Sequence, residues 1–255
     1  MKTNVGGEEE RMMAVGEKCE TGIKEIDVQM EGGIPVGSTV LVAGSSGSGK
    51  TTLCMQFLMH GAKKGEKSVF FTITEPLFKL LGNLEKFEFF DKNLVEDSGM
   101  VTIIDLRIIF ERMGLDTEDY TVEDASALLD VLKDIAKELD AKRLVIDSIT
   151  ALCYRLKSDE MIRDFIFKLG TFLAAMKCTT FLTSEIPPRK FKYSKNDIEE
   201  FISDGIILLG DIERGGDLIR TLQIVKMRGV NHSRTKYAMS ISSRGVELAP
   251  LLKVR

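Results

Sequence analysis

Val40-Leu41-Val42-Ala43 runs directly into Gly44-Ser45-Ser46-Gly47-Ser48-Gly49-Lys50-Thr51-Thr52. An apolar run of strand type feeds a loop reading G-x-x-x-x-G-K-T, and the following segment, Leu53 to Lys64, has apolar residues spaced for one helical face. Strand, glycine loop and helix in that order form a phosphate-binding loop. The glycines let the backbone turn with its N–H groups pointing inward, and the helix adds its positive N-terminal end. Ser45, Ser46, Gly47, Ser48, Gly49, Lys50, Thr51 and Thr52 are therefore the candidate phosphate-binding residues. Lys50 is expected to reach the β- and γ-phosphate oxygens, and the Thr51 hydroxyl to ligate Mg²⁺.

A chain of 255 residues is long enough for one large α/β domain with a substantial core. Its formal charge of −4 argues against a protein that coats nucleic acid through its net field, while leaving room for a local basic face. Cys19, Cys54, Cys153 and Cys178 stand far apart without C-x-x-C spacing, and His60 and His232 are the only histidines, which argues against a zinc site. Three of the four cysteines lie among apolar residues, where a buried reduced thiol is the better reading. With no signal peptide and no 18-residue apolar span, the expectation is a cytoplasmic protein with no membrane insertion.

Working outward, residues 1–18 are polar and lack periodicity, and are read as a flexible tail preceding a single domain over 19–255. Thr21 to Asp27 suits a short helix. Strands are predicted at 38–43, 68–74, 100–106, 142–147, 178–184 and 205–210, with helices near 50–64, 76–86, 122–140 and 159–176. In the clearest helix Ala125, Leu128, Leu129, Leu132, Ile135, Ala136 and Leu139 share one face, and Thr121 with Asp124 resembles a capping arrangement at its start. Unbroken apolar runs such as Leu144-Val145-Ile146 suit a mostly parallel sheet covered on both faces by helices. After about residue 210 the alternation stops, and Ile219 to Met227 and Tyr237 to Ser242 read as antiparallel hairpin strands. Residues 214–255 carry nine Lys/Arg against two acidic residues, whereas 111–124 is acidic, a contrast that suits either two solvated surfaces or the two sides of a head-to-tail contact.

Four further groups could carry chemistry. Arg143-Leu144-Val145-Ile146-Asp147 is an apolar strand ending in a carboxylate, the form in which Asp147 would hold Mg²⁺. Val69 to Thr74 delivers Glu75, which either orients water or caps the helix after Pro76. Ser184 ends another apolar strand and either senses the γ-phosphate or bonds a neighbouring turn. Lys226 and Arg228 stand two apart, as a solvated basic edge or as a pair aimed at a phosphate.

Gly32-Gly33-Ile34-Pro35-Val36-Gly37-Ser38, Thr72-Ile73-Thr74-Glu75-Pro76, Val145-Ile146-Asp147-Ser148, Phe201-Ile202-Ser203-Asp204-Gly205-Ile206-Ile207 and Arg220 to Gly229 through His232 together resemble the KaiC family of RecA-like ATPases. The resemblance covers roughly residues 20 to 250. It implies a RecA-like P-loop core, ATP and Mg²⁺ binding, and a homo-oligomeric ring, usually a hexamer, with nucleotide at subunit interfaces. In that family the K-x-R-G strand reaches the neighbour's ATP, which would make Lys226 and Arg228 trans-acting, with His232 and Arg234 as further interface contacts. The family's clock protein has two such domains and adjacent glutamates where this chain reads Thr74-Glu75, so neither the circadian role nor a double-carboxylate mechanism carries over. The expectation is a slow regulatory or signalling ATPase with an unidentified protein partner. The alternatives are a non-hydrolysing ATP-dependent switch or scaffold resembling the archaellum motor subunit, and a recombinase-like DNA-binding ATPase supported only by the basic C-terminal segment. The resemblance also admits autophosphorylation, for which no Ser or Thr can be named on physical grounds.

Overall fold

A strand that is apolar at every position must be covered on both faces, and that requirement organises the chain. The structure, a computed structural model, describes residues 16–114, 121–187 and 192–251. In chain order the elements are β1 (Lys18–Cys19), α1 (Lys24–Gln29), β2 (Ile34–Pro35), β3 (Thr39–Gly44), α2 (Lys50–Lys63), β4 (Ser68–Thr72), α3 (Leu77–Leu84), α4 (Asn93–Glu96), β5 (Val101–Asp105) and α5 (Leu106–Arg112). Then follow α6 (Val122–Glu138), β6 (Arg143–Asp147), α7 (Ile149–Cys153), α8 (Asp159–Met176), β7 (Thr179–Glu185), α9 (Glu199–Ile202), β8 (Gly205–Arg214), β9 (Asp217–Met227), β10 (Lys236–Ser242) and β11 (Gly245–Pro250).

Nine strands form one sheet in the order β11-β10-β9-β8-β3-β7-β6-β4-β5. The block from β5 to β8 is parallel throughout, and β9, β10 and β11 extend it antiparallel. This is the α/β architecture with C-terminal antiparallel strands that the sequence predicted. Successive residues of β3 enter opposite cores, as a period of two demands. Val40 and Val42 pack with Leu53 and Phe57 of α2, whereas Leu41 packs with Leu132 of α6 and Leu169 of α8.

Local chemistry sets several boundaries. Thr121 and Asp124 form the predicted capping box at α6, and Ser158 caps α8 by accepting from the Met161 amide at 3.2 Å. Leu106 and its neighbours, read partly as the end of a strand, instead start α5 because the Asp105 carboxylate accepts from the Arg107 amide at 3.0 Å. The helix predicted over 76–86 is shorter, Leu77–Leu84, with Pro76 at its N-cap. β8 runs four residues beyond the predicted strand end, to Arg214, because its partner β9 continues beside it to Asp217. Lys18, read as the last residue of the tail, pairs with Pro35 in β1. The rest of that tail up to position 15, the acidic Asp116, Glu118 and Asp119, and the basic Lys253 and Arg255 lie outside the described residues.

The last two strands back the phosphate-loop helix. The Val246 amide donates to Gln56 Oε1 of α2 at 2.9 Å. A Cβ placed on Gly49 would lie 2.6 Å from Ile241 Cδ1 of β10. Among the described residues, no helix is long and apolar enough to cross a membrane.

Candidate functional site

The apolar strand β3 ends at Gly44, and the chain turns through Gly47 (φ 77°) and Gly49 (φ 100°) before α2 begins at Lys50. Both angles lie in the left-handed region, where a side chain is strained. The buried Lys50 ammonium donates to the carbonyls of Gly44 and Ser45, each at 2.9 Å. Burial pushes its pKa down, against the opposing influence of the Glu185 and Asp147 charges. Ser48 is also buried, and its hydroxyl has no hydrogen-bond partner. Ser46 and Gly47 face solvent at the mouth of the loop.

Asp147 ends β6 and is buried. One carboxylate oxygen accepts from the Thr51 hydroxyl at 2.7 Å, the other from the Thr183 hydroxyl at 2.6 Å. Thr183 belongs to β7, the strand between β3 and β6. The donor set suits a magnesium-bound triphosphate: a lysine ammonium, loop amides with an orphaned buried hydroxyl beside them, and hard hydroxyl and carboxylate oxygens.

Glu75 lies three residues beyond Thr72, which pairs in register with Asp147. The alternative of a helix cap does not form, since α3 has no side-chain cap. Its carboxylate instead accepts from Asn83 Nδ2 at 3.1 Å and lies 3.9 Å from Lys79 Nζ. The Ser184 hydroxyl bonds a neighbouring turn, accepting from the Lys195 amide at 3.1 Å. A cleft of about 360 Å³ opens between Thr74, Arg107, Thr150, Tyr154 and Glu185 at this end of the sheet.

Lys226 and Arg228 lie at the opposite end. β9 runs against β8, so Met227 sits opposite Gly205, which in turn sits opposite Val40 near the start of β3. Strands rise ~3.3 Å per residue, which puts roughly 13 Å of β3 between that level and Gly44 before the lateral offset of two strands is added. Lys226 Nζ donates to the Glu200 and Ser203 carbonyls at 3.1 and 2.6 Å, and Arg228 Nη1 lies 3.2 Å from Asp204 Oδ1. Burial and then the Arg228 charge lower the Lys226 pKa. His232, half-buried, and Arg234, exposed, occupy the segment between β9 and β10. His232 Nδ1 sits 3.4 Å from the Ser233 carbonyl, and the Arg234 carbonyl accepts from Gln223 Nε2 at 2.7 Å.

The predicted residues thus fall into two groups. Lys50, Thr51 and Asp147 meet around the loop, whereas Lys226 and Arg228 cannot reach that loop in their own chain. Sequence reading missed Thr183, a buried hydroxyl following Phe181 and Leu182 in β7, and Asp204, treated only as part of a motif. It gave Gly44 only the turning role of a loop glycine, whereas an added Cβ there would also lie 2.5 Å from Ser48 Oγ.

A phosphate loop on β3, a carboxylate ending a strand one place removed, and a parallel sheet with antiparallel extension define a RecA-like P-loop protein. The family model described as "ATPase: KaiC" matches residues 19–253, and the chain belongs to this family of ATPases. It is 33% identical over 238 residues to the circadian clock oscillator protein KaiC of Parathermosynechococcus lividus, covering 92% of this chain and 42% of that protein. The chain thus spans less than half the length of that relative. A UPF0273 protein of Methanopyrus kandleri is 33% identical over 241 residues, with 93% of this chain and 94% of that protein covered. Among solved structures, a KaiC-like protein from the archaeon Pyrococcus horikoshii superposes with a TM-score of 0.80 at 36% identity, over 92% of this chain and 99% of that one.

Proposed function

We propose that residues 19–255 form one ATPase domain that binds Mg-ATP and hydrolyses it slowly as a homo-oligomeric ring, a hexamer by family likeness, in a regulatory or signalling role in the cytoplasm. Lys50 and the loop amides would hold the phosphates, and Thr51 and Asp147 would hold Mg²⁺, which neutralises charge on the transferring phosphoryl group when bound. Glu75 would orient the attacking water. One observation carries the ring: the loop and the Lys226/Arg228 pair stand at opposite ends of the same sheet. Groups so separated serve one reaction only when adjacent copies share it, with His232 and Arg234 as further contacts at the junction. Each copy then gives at one end and receives at the other, the heterologous arrangement that closes rings.

A second reading, a nucleotide-dependent switch or scaffold with negligible turnover, is favoured by the Glu75 carboxylate being held against the following helix by Asn83 and Lys79. Hydrolysis measured against protein concentration with Mg²⁺, alongside mass determination with and without ATP, separates the two. A rate per subunit that rises with assembly supports composite sites. Assembly on ATP without turnover supports the switch, and a concentration-independent rate from a monomer refutes the ring.

A further inference from the structure

Asp204, immediately before β8, makes four hydrogen bonds. Its amide donates to the Thr39 carbonyl at 2.7 Å, and its carbonyl accepts from the Arg228 amide at 2.9 Å. One carboxylate oxygen accepts from the Thr39 amide at 3.0 Å, while the other takes the Arg228 guanidinium at 3.2 Å. Main-chain bonds alone would suffice to join β3, β8 and the end of β9. The second carboxylate oxygen does something else: it fixes the direction of a long side chain that is otherwise 58% exposed. Among the described residues, Asp204 is the one partner of that guanidinium. The two basic groups are held differently, since Lys226 rests on main-chain carbonyls that no side-chain replacement removes.

We propose that Asp204 is the positioning residue for Arg228, holding its guanidinium in the direction of the neighbouring subunit's phosphate while anchoring the same corner to the start of β3. This rests on the proposed trans role of Arg228. An ion pair between exposed groups is weak enough to be exchanged, so Arg228 can share its donors between Asp204 and a phosphate. Transfer chemistry tolerates little misalignment, because a misplacement of about 1 Å can cost about a hundredfold in rate.

The experiment measures Mg-ATP hydrolysis on wild type, Arg228→Ala, Asp204→Asn and the double variant, each at a concentration where the assembled species is verified by mass. Asparagine keeps a carbonyl oxygen for the Thr39 amide but turns a donor toward the guanidinium. Asp204→Asn is expected to lower kcat about ten- to a hundredfold with KM for ATP within about twofold of wild type, and the double variant to be no slower than Arg228→Ala. Asp204→Glu, which restores the charge, is expected to recover part of the rate even if Asp204→Asn folds poorly. An unchanged or raised kcat in Asp204→Asn, a further drop on the Arg228→Ala background, or no recovery in Asp204→Glu overturns the assignment. A full rate for Arg228→Ala removes the trans reading itself, and this role for Asp204 with it.

Discussion

The Thr51 hydroxyl donates to the Asp147 carboxylate over 2.7 Å although 96 residues separate them and β7 lies between the strands that lead to them. The contact brings the first turn of α2 to the end of β6, one strand removed from the β3 that feeds it. Thr183 approaches the same carboxylate from β7 itself, so one buried group ties three elements together.

Replacing Thr51 with Val leaves one Asp147 oxygen unpaired in a buried place, at a cost of about 1–3 kcal/mol. Mg-dependent ATP affinity should fall more than about tenfold, read by titration with a fluorescent ATP analogue with and without Mg²⁺. Lys50→Ala should abolish tight binding in the same assay, and retained micromolar affinity would falsify the assignment of the loop.

Arg228→Ala should reduce turnover in the assembled state by about 10³ or more, the range of an arginine supplied in trans. Stability should change by no more than about 1 kcal/mol, because its ion pair with Asp204 is exposed. Mixing Arg228→Ala with Lys50→Ala subunits should restore activity at junctions where an intact loop meets an intact arginine. A mixture no faster than its components speaks against shared sites.

Gly61→Ala supplies a test with an inverted sign. Within a helix this change ordinarily stabilises by about 0.5–1 kcal/mol. Here an added Cβ would lie 2.1 Å from Arg143 Nε. That buried guanidinium bonds Glu66 Oε2 at 2.5 Å and the Glu20 and Phe57 carbonyls at 2.7 and 2.8 Å, with its centre 4.6 Å from the Phe57 ring centroid. Displacing it should cost about 1–3 kcal/mol, and a rise in Tm on thermal unfolding would contradict the packing.

The four cysteines should be silent toward dithiobis-nitrobenzoate in the native protein near pH 8 and all react after denaturation. Each is buried. Burial pushes the thiols of Cys19 and Cys178 up to about 11 and that of Cys153 up to about 12, and raises Cys54 well above its ordinary value. The thiolate is the reactive form, so rapid native labelling of any one would place it in an opened segment.

Much of the site was legible because its parts are local. The glycine loop with Lys50 and Thr51 announces itself within nine residues, and the strand ending at Asp147 needs only its own apolar run. The pairing of Asp147 with Thr183 was not legible, since it depends on β7 entering between β3 and β6, and strand order leaves no mark on a single strand's pattern. The sequence pattern found α8 at Asp159–Met176 and the whole of α6, Val122–Glu138, where one apolar stripe spans several turns. It missed α5 and α7, each too short for a stripe and each started by a side-chain cap, Asp105 and Ser148. Glu75 was read as either a water-orienting group or a cap; the cap does not form, and the carboxylate accepts from Asn83, eight residues on.

The strand pair that backs α2 gives synthesis a direction. Gly49 is packed against Ile241, and Gln56 meets Val246 across 190 residues of chain, so the glycine loop is braced by residues made long after it. A chain emerging from the ribosome carries the loop long before it carries that brace. The wall of the loop is therefore completed only once β10 and β11 are made, and contacts of such long sequence separation form late in folding. A nascent or truncated chain ending before β10 would display the glycine loop without the wall that shapes it.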